Sequence, residues 1–349
     1  MKIPATFLMF ALAAMAACAQ SAKPDFLHDL KPYTPERQVQ GAIRIYGNNY
    51  IPALMKVWED GFRKVQPGVT FTTNLPGTEA AMAGLYGGIA DLVFIGREGY
   101  RTEIDAFRGR FGYAPLGLMV SSGSYATPHK TFSLEVFVHK DNPLTRLTMQ
   151  QLAAIFGCGG CAGCGSVGGS PAIRTWGQLG LQGEWKDKPI HVYGYNFDTG
   201  MAGYFNRVVL HDSGRWNENL KDFDNGHEPN GEVINAGVYI LAALAKDPYG
   251  IAFANVLYEN PQVKTVALAA RAGEPYYQAT EETTWKRQYP ITRFSTVYLN
   301  RAPGKPVDPK VKEFLRYILS KDGMAAVVSD GAYLPLNEQV IEQQLKKLK

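Results

Sequence analysis

Three short segments each close a strand-like stretch and open a helix-like one: Tyr46-Gly47-Asn48-Asn49-Tyr50, Leu75-Pro76-Gly77-Thr78 and Asn196-Phe197-Asp198-Thr199-Gly200. A helix N-terminus leaves backbone N–H groups without intrahelical partners and carries a partial positive charge, so such a turn suits an anion. Taken singly, each reads as punctuation, because Gly, Asn and Thr end strands and cap helices in many proteins. Three of them, with more than a hundred residues between the second and third, predict two lobes closing on one small ligand.

A chain of 349 residues has room for two separately cored domains. Hydrophobic residues at 46% and charged residues at 19% are ordinary globular values rather than those of a disordered chain. The net charge of +4 comes without a basic block, so nothing points to nucleic acid. The N-terminus reads as an export signal over 1–19: Lys2, then an apolar run from Ile3 to Ala17, then small residues. Met15-Ala16-Ala17-Cys18 also fits a lipoprotein box in which Cys18 is acylated, the one route to a membrane; the alternative is cleavage after Ala19 into a free periplasmic protein.

Residues 20–40, with three prolines between Lys23 and Gln40, form an extended leader. Strands are expected at Ala42–Tyr46, Val69–Asn74, Asp91–Ile95, Phe132–Val138, Ile190–Tyr193, Gly250–Ala254 and Phe294–Leu299. Helices are expected at Pro52–Val65, Glu79–Tyr86, Thr148–Phe156, Met201–Leu210, Val233–Ala245, Val311–Ser320 and Gln339–Leu348. In the first helix Leu54, Val57, Trp58, Phe62 and Val65 recur at helical spacing. The β-α-β-α-β run at the start predicts a largely parallel sheet flanked by helices.

The order of these segments resembles the phosphate-binding proteins of bacterial ABC importers, the PstS-like branch of the type 2 periplasmic binding proteins. The matching pieces begin with Gly47 to Trp58, Gly77-Thr78 and Gly88-Ile89-Ala90-Asp91. They continue with Asn142-Pro143-Leu144, Leu147-Thr148, Gln151-Leu152, Ile155-Phe156 and Thr175 to Gly180. Tyr289-Pro290-Ile291, Gly323 and Gly331 to Leu336 complete the set, which spans nearly the whole mature chain. The resemblance implies an α/β fold of two lobes, each a mostly parallel sheet flanked by helices, joined by two crossover strands. Lobe I would hold 41–130 and 290–349, and lobe II 131–289. It further implies a periplasmic monomer that closes by hinge motion on a small oxyanion, phosphate favoured, and passes it to an importer permease.

Carried over residue by residue, the resemblance puts Asn49, Tyr50, Gly77, Thr78, Thr199, Gly200 and Met201 at the ligand. Asp91 would be the carboxylate that accepts the proton of hydrogen phosphate, since an acceptor-only group repels an anion lacking one. One departure stands out: where the family carries a phosphate-paired arginine, four residues before Thr199, this chain has Tyr195, and Met201 lacks a hydroxyl. Losing a bidentate, charge-assisted donor weakens anion binding. Arg97 and Arg44 are the candidates to replace it, and Tyr195 would line the cleft.

Cys158, Cys161 and Cys164 lie in a Gly-rich insertion, 157–174, that the resemblance does not explain. In an oxidising compartment, one disulfide within the cluster plus a leftover thiol is the expectation; a three-thiolate metal site is the alternative. The six histidines show no metal-ligand spacing, and no cofactor is expected. The chain lacks a Gly-x-Ser-x-Gly elbow, a P-loop and a His-Glu-x-x-His motif, so it reads as a binder rather than an enzyme. The competing reading is an exported interaction or sensory protein that keeps the fold with a different ligand or none.

Overall fold

The computed structural model describes residues 25–128, 130–158 and 171–349. The chain opens with β1 (Gly41–Gly47), α1 (Pro52–Val65), β2 (Val69–Asn74), α2 (Thr78–Tyr86), β3 (Leu92–Ile95), α3 (Arg101–Phe111) and β4 (Leu116–Ser122). It continues through β5 (Glu135–His139), β6 (Arg146–Thr148), α4 (Met149–Phe156), β7 (His191–Tyr195), α5 (Gly200–Val208), β8 (Lys221–Phe223), β9 (Gly226–His227) and β10 (Val233–Ile234). Next come α6 (Ala236–Leu244), β11 (Gly250–Ala254), β12 (Val263–Thr265), β13 (Ala267–Ala269) and α7 (Glu281–Trp285). It ends with β14 (Phe294–Leu299), α8 (Pro309–Ile318), α9 (Lys321–Asp330) and α10 (Glu338–Lys346).

Two five-stranded sheets organise these elements, in the orders β2-β1-β3-β14-β4 and β12-β5-β11-β7-β8. In the first, β1 pairs in parallel with β2 and β3, while β14 runs antiparallel to β3 and β4. In the second, β7 pairs in parallel with β11 and β8, while β5 runs antiparallel to β11 and β12. Each sheet is therefore mostly unidirectional with one reversed strand, and helices cover its faces. The central strands β3 and β11 are buried at every residue, as strands covered on both sides must be.

Each sheet has its own core. In the first, α1 buries Leu54, Met55, Trp58 and Phe62, and Trp58 Nε1 donates to Gly323 O at 2.9 Å, tying α1 to α9. In the second, Phe205 and Phe253 stack at 3.9 Å between centroids, with Phe156 edge-on to both. Two segments cross between the sheets and hydrogen-bond to each other: Gly123 N–H donates to Arg293 O, Leu134 N–H to Ile291 O, and Tyr289 Oη to Leu134 O. Among the described residues, no helix is long and apolar enough to cross a membrane.

Several details depart from the sequence reading. Val57 and Val65 are exposed, because the buried stripe of α1 is centred on Leu54, Trp58 and Phe62 and runs off the sheet before Val65. The strand expected from Phe132 starts at Glu135, since Ser133 and Leu134 spend their N–H groups within the crossover. The helix expected from Val233 starts at Ala236, where Asn235 Oδ1 caps it by accepting from Gly237 N–H at 2.9 Å. Neither α3, which buries only Phe107, nor β4 or α9 was expected.

Candidate functional site

At the end of β1, Gly47 holds φ at 129°, and a Cβ there would lie 2.2 Å from Phe94 O, so only glycine fits. Asn48 is buried; its N–H donates to Phe94 O, and its Oδ1 accepts the Tyr50 N–H at 2.9 Å. That bond forms the turn and occupies the Tyr50 N–H. The Asn49 and Tyr50 side chains are exposed, with Asn49 Oδ1 beside Gly77. Lys130 Nζ donates to Tyr50 O, placing a cation at the same turn.

The second turn packs against the first, with Gly77 N–H donating to Gly47 O at 2.9 Å. Thr78 opens α2, and its Oγ accepts the Gly96 N–H at 3.2 Å. This bond fastens the loop after β3 to the α2 N-terminus. Arg97, next in that loop, is clamped by carboxylates on both sides: Glu79 Oε2 at 2.7 Å and Glu103 Oε2 at 2.9 Å. Burial works against its charge, but the bonds to Glu103 and Glu79 outweigh burial and hold its pKa above the usual arginine value. The guanidinium also lies over the Tyr100 ring, 3.6 Å from its centroid.

The third turn belongs to the other sheet. Thr199 Oγ caps α5 by accepting the Ala202 N–H at 3.2 Å and donates to Asn196 O at 2.8 Å. Its hydrogen is thus spent inside its own turn. Gly200 and Gly203 face the loop after β3: a Cβ at Gly200 would stand 3.5 Å from Tyr100 Oη and 3.8 Å from Arg97 Cδ. The α2 and α5 N-termini, from different sheets, therefore flank the one loop running from Gly96 to Tyr100. The gap left there, lined by Arg97, Glu98, Tyr100, Gly200 and Tyr204 among others, is about 10 Å³. A cleft of about 550 Å³ between Leu30–Glu36 and α8 and α10 is larger, but none of the three turns lines it.

Asp91 is a correction. It precedes β3 at the end of the strand opposite Gly96, where its carboxylate takes Arg44 Nη2 at 2.7 Å and the Arg44 N–H at 2.9 Å. Burial raises its pKa, and the Arg44 bonds more than reverse that. Neither Asp91 nor Arg44 joins the three turns. Tyr195 is a second correction: it is 1% exposed, packs on Phe253 and donates to Asn235 Oδ1 at 3.2 Å, so it is core rather than cleft lining.

Sequence reasoning overlooked Arg293, on the returning crossover. It is 2% exposed, with Nη2 3.2 Å from Glu98 Oε2, Nη1 3.1 Å from Met201 Sδ, and its guanidinium 4.7 Å from the Tyr204 ring centroid. Its neighbour Arg287 donates to Thr292 O and Arg293 O, and burial lowers its pKa to about 10. The short apolar segment Tyr289-Pro290-Ile291 beside them gave no sign of a basic cluster. Cys158, half-buried, donates its N–H to Arg215 O; Cys161, Cys164 and Cys18 lie outside the described residues. Among the described residues, no three His, Cys, Asp or Glu side chains gather as a metal site.

A family model for a PBP superfamily domain matches residues 33–322. The chain is similar to the phosphate-binding protein PstS of Pseudomonas aeruginosa, 34% identical over 345 residues that cover 98% of each chain. It is also similar to protein SphX of Synechococcus elongatus, 21% identical over 281 residues, or 79% of this chain and 73% of that one. Among solved structures, PstS from Borrelia burgdorferi superposes with a TM-score of 0.52 at 15% identity, covering 85% of this chain and 100% of that one.

Proposed function

Because this chain belongs to the PBP superfamily and, within it, to the family of the phosphate-binding protein PstS, we propose that it captures a small oxyanion, phosphate foremost, and delivers it to an ABC importer permease. One observation carries the reading at the site: helix N-termini from two different sheets flank the single loop Gly96–Tyr100. Backbone N–H groups and hydroxyls there bind the anion, and no bond is made or broken. The lobes are 41–130 with 290–349, and 131–289, an assignment supported by which strands share a sheet. The protein works as a periplasmic monomer, either free or held through an acylated Cys18.

Titration calorimetry of the ligand-stripped protein against phosphate, arsenate, sulfate and molybdate tests this. The expected result is one phosphate per chain. Silence toward all four, with folding verified by circular dichroism, would overturn it. That outcome would favour the interaction or sensory reading, which draws support from the burial of Tyr195 and the spent Thr199 hydroxyl.

A further inference from the structure

Of the described arginines near the converging helix ends, Arg293 is the one with a buried nitrogen that has no partner. Arg97 has two carboxylates, Arg207 donates to Gly99 O at 3.0 Å, and Arg287 has two carbonyls. Arg293 has a single carboxylate oxygen at 3.2 Å, longer than the ~2.7–2.9 Å usual for such charged pairs. Its Nη1 meets only a thioether, a weak acceptor, and its buried Nε has no partner. A buried guanidinium left this way is costly unless another acceptor completes it. Met201, which it touches, lies in the first turn of the nine-residue helix α5, so the charge sits where that helix presents its positive end.

We propose that Arg293 is the cation that receives the oxyanion in this chain, and that Glu98 occupies it in the unliganded state as an internal competitor. This rests on the oxyanion-binding reading above and names the residues that set its affinity. A carboxylate and an oxyanion offer the same chemistry to a guanidinium: two oxygens on one edge. Glu98 uses only Nη2, leaving Nε open, whereas a tetrahedral oxyanion spans both. The gap that Glu98 lines together with Arg97, Tyr100 and Gly200 is about 10 Å³ and admits at most one water, so the anion enters only as Glu98 leaves. Glu98 can leave readily, since its side chain is 21% exposed and returns to solvent. Glu98 follows β3 of the first sheet, Met201 opens α5 beside the second, and Arg293 lies on the crossover between them. The Glu98–Arg293 pair lies within the half that holds β3 and β14, and Arg293 reaches the other half through Met201.

The test is calorimetry with inorganic phosphate on the ligand-stripped full chain, comparing wild type, Glu98→Gln, Arg293→Met and Arg293→Lys. Glu98→Gln is expected to bind phosphate about tenfold more tightly. Arg293→Met is expected to lose binding. Should Arg293→Met not fold, Arg293→Lys keeps the charge without the planar fork and is expected to bind at least tenfold more weakly with a near-native melting temperature. Wild-type binding that Glu98→Gln leaves unchanged or weakens overturns the competitor role alone. An unaltered affinity in Arg293→Lys overturns the cation role alone. Silence from both wild type and Glu98→Gln overturns the oxyanion reading on which the inference rests, whereas binding by Glu98→Gln against a silent wild type supports both.

Discussion

Arg44, midway along β1, faces Asp91 at the start of β3, with Nη2 and Oδ1 2.7 Å apart. Gly96 lies five residues along nearly extended chain from Asp91, about 16 Å at a strand's rise per residue. The carboxylate that looked like a ligand contact is thus a staple between the start of β3 and the middle of β1. Asp91→Asn is therefore expected to leave phosphate affinity unchanged. It is expected to destabilise the fold by about 1 kcal/mol or less, as for a partly exposed ion pair. Because the folded pKa is depressed, this contribution is present above the ordinary value of 3.8 and disappears as pH falls through the folded value. Chemical denaturation at pH 7 and pH 3 beside calorimetry at pH 7 would check both halves.

Thr78 and Thr199 act differently despite their similar places in sequence. Thr78→Ala strands the Gly96 N–H and frees the loop, at about 1–3 kcal/mol, so phosphate binding should weaken about tenfold or more. Thr199→Ala removes the α5 cap at about 0.5–2 kcal/mol of stability and should weaken binding less, whereas Thr199→Ser should restore both. Equal losses of affinity at the two positions would contradict this division.

Gly47→Ala is expected to be severe. The added methyl would meet Phe94 O at 2.2 Å in a backbone conformation that L side chains avoid. A loss of several kcal/mol in urea denaturation, or failure to fold, is the anticipated result. The nearby Gly88→Ala, whose Cβ would meet nothing within 4 Å despite its positive φ, should cost only about 1 kcal/mol.

Glu135, fully buried where the outgoing crossover enters β5, should make stability depend on pH. Burial raises its pKa to about 8, against the opposing pull of Ser133 Oγ and the Val256 N–H, while Glu259 adds a like charge. The folded state holds this proton more tightly than the unfolded chain does. Stability is therefore lost as pH rises from about 4.5 toward 8. Glu135→Gln should flatten that trend, gaining up to a few kcal/mol on wild type at pH 8 relative to pH 5, at about 1.4 kcal/mol per pH unit. Parallel denaturation curves at both pH values would show it.

The regular parts of the fold were legible where side-chain period and local chemistry agreed. Pro52 at the start of α1, the alternation from Val69 to Asn74, and the apolar run from Gly250 to Ala254 each marked an element at its observed bounds. The helix α3 was not legible, because it buries Phe107 alone and its ends depend on Glu103 reaching back to the Tyr100 N–H and on Gly112 at a φ of 81°. The turns Asn48–Tyr50, Gly77–Thr78 and Thr199–Gly200 were readable as helix entrances, since their Gly and Thr requirements are local.

What could not be read was which groups share a space. The family resemblance made Asp91 look like a ligand contact, yet the pleat and direction of β3 carry Gly96, not Asp91, to the helix ends. Tyr195 ended in the core because Phe253 on the neighbouring strand packs against it. The chain's order of strands, turns and helices by itself determined the two-sheet architecture and the three helix entrances, because these depend on interactions a few residues apart. Only the tertiary structure decided that Arg293 and Glu98, nearly two hundred residues apart, would meet at those entrances, because side-chain electrostatics depend on distance in space, and the crossover sets that distance.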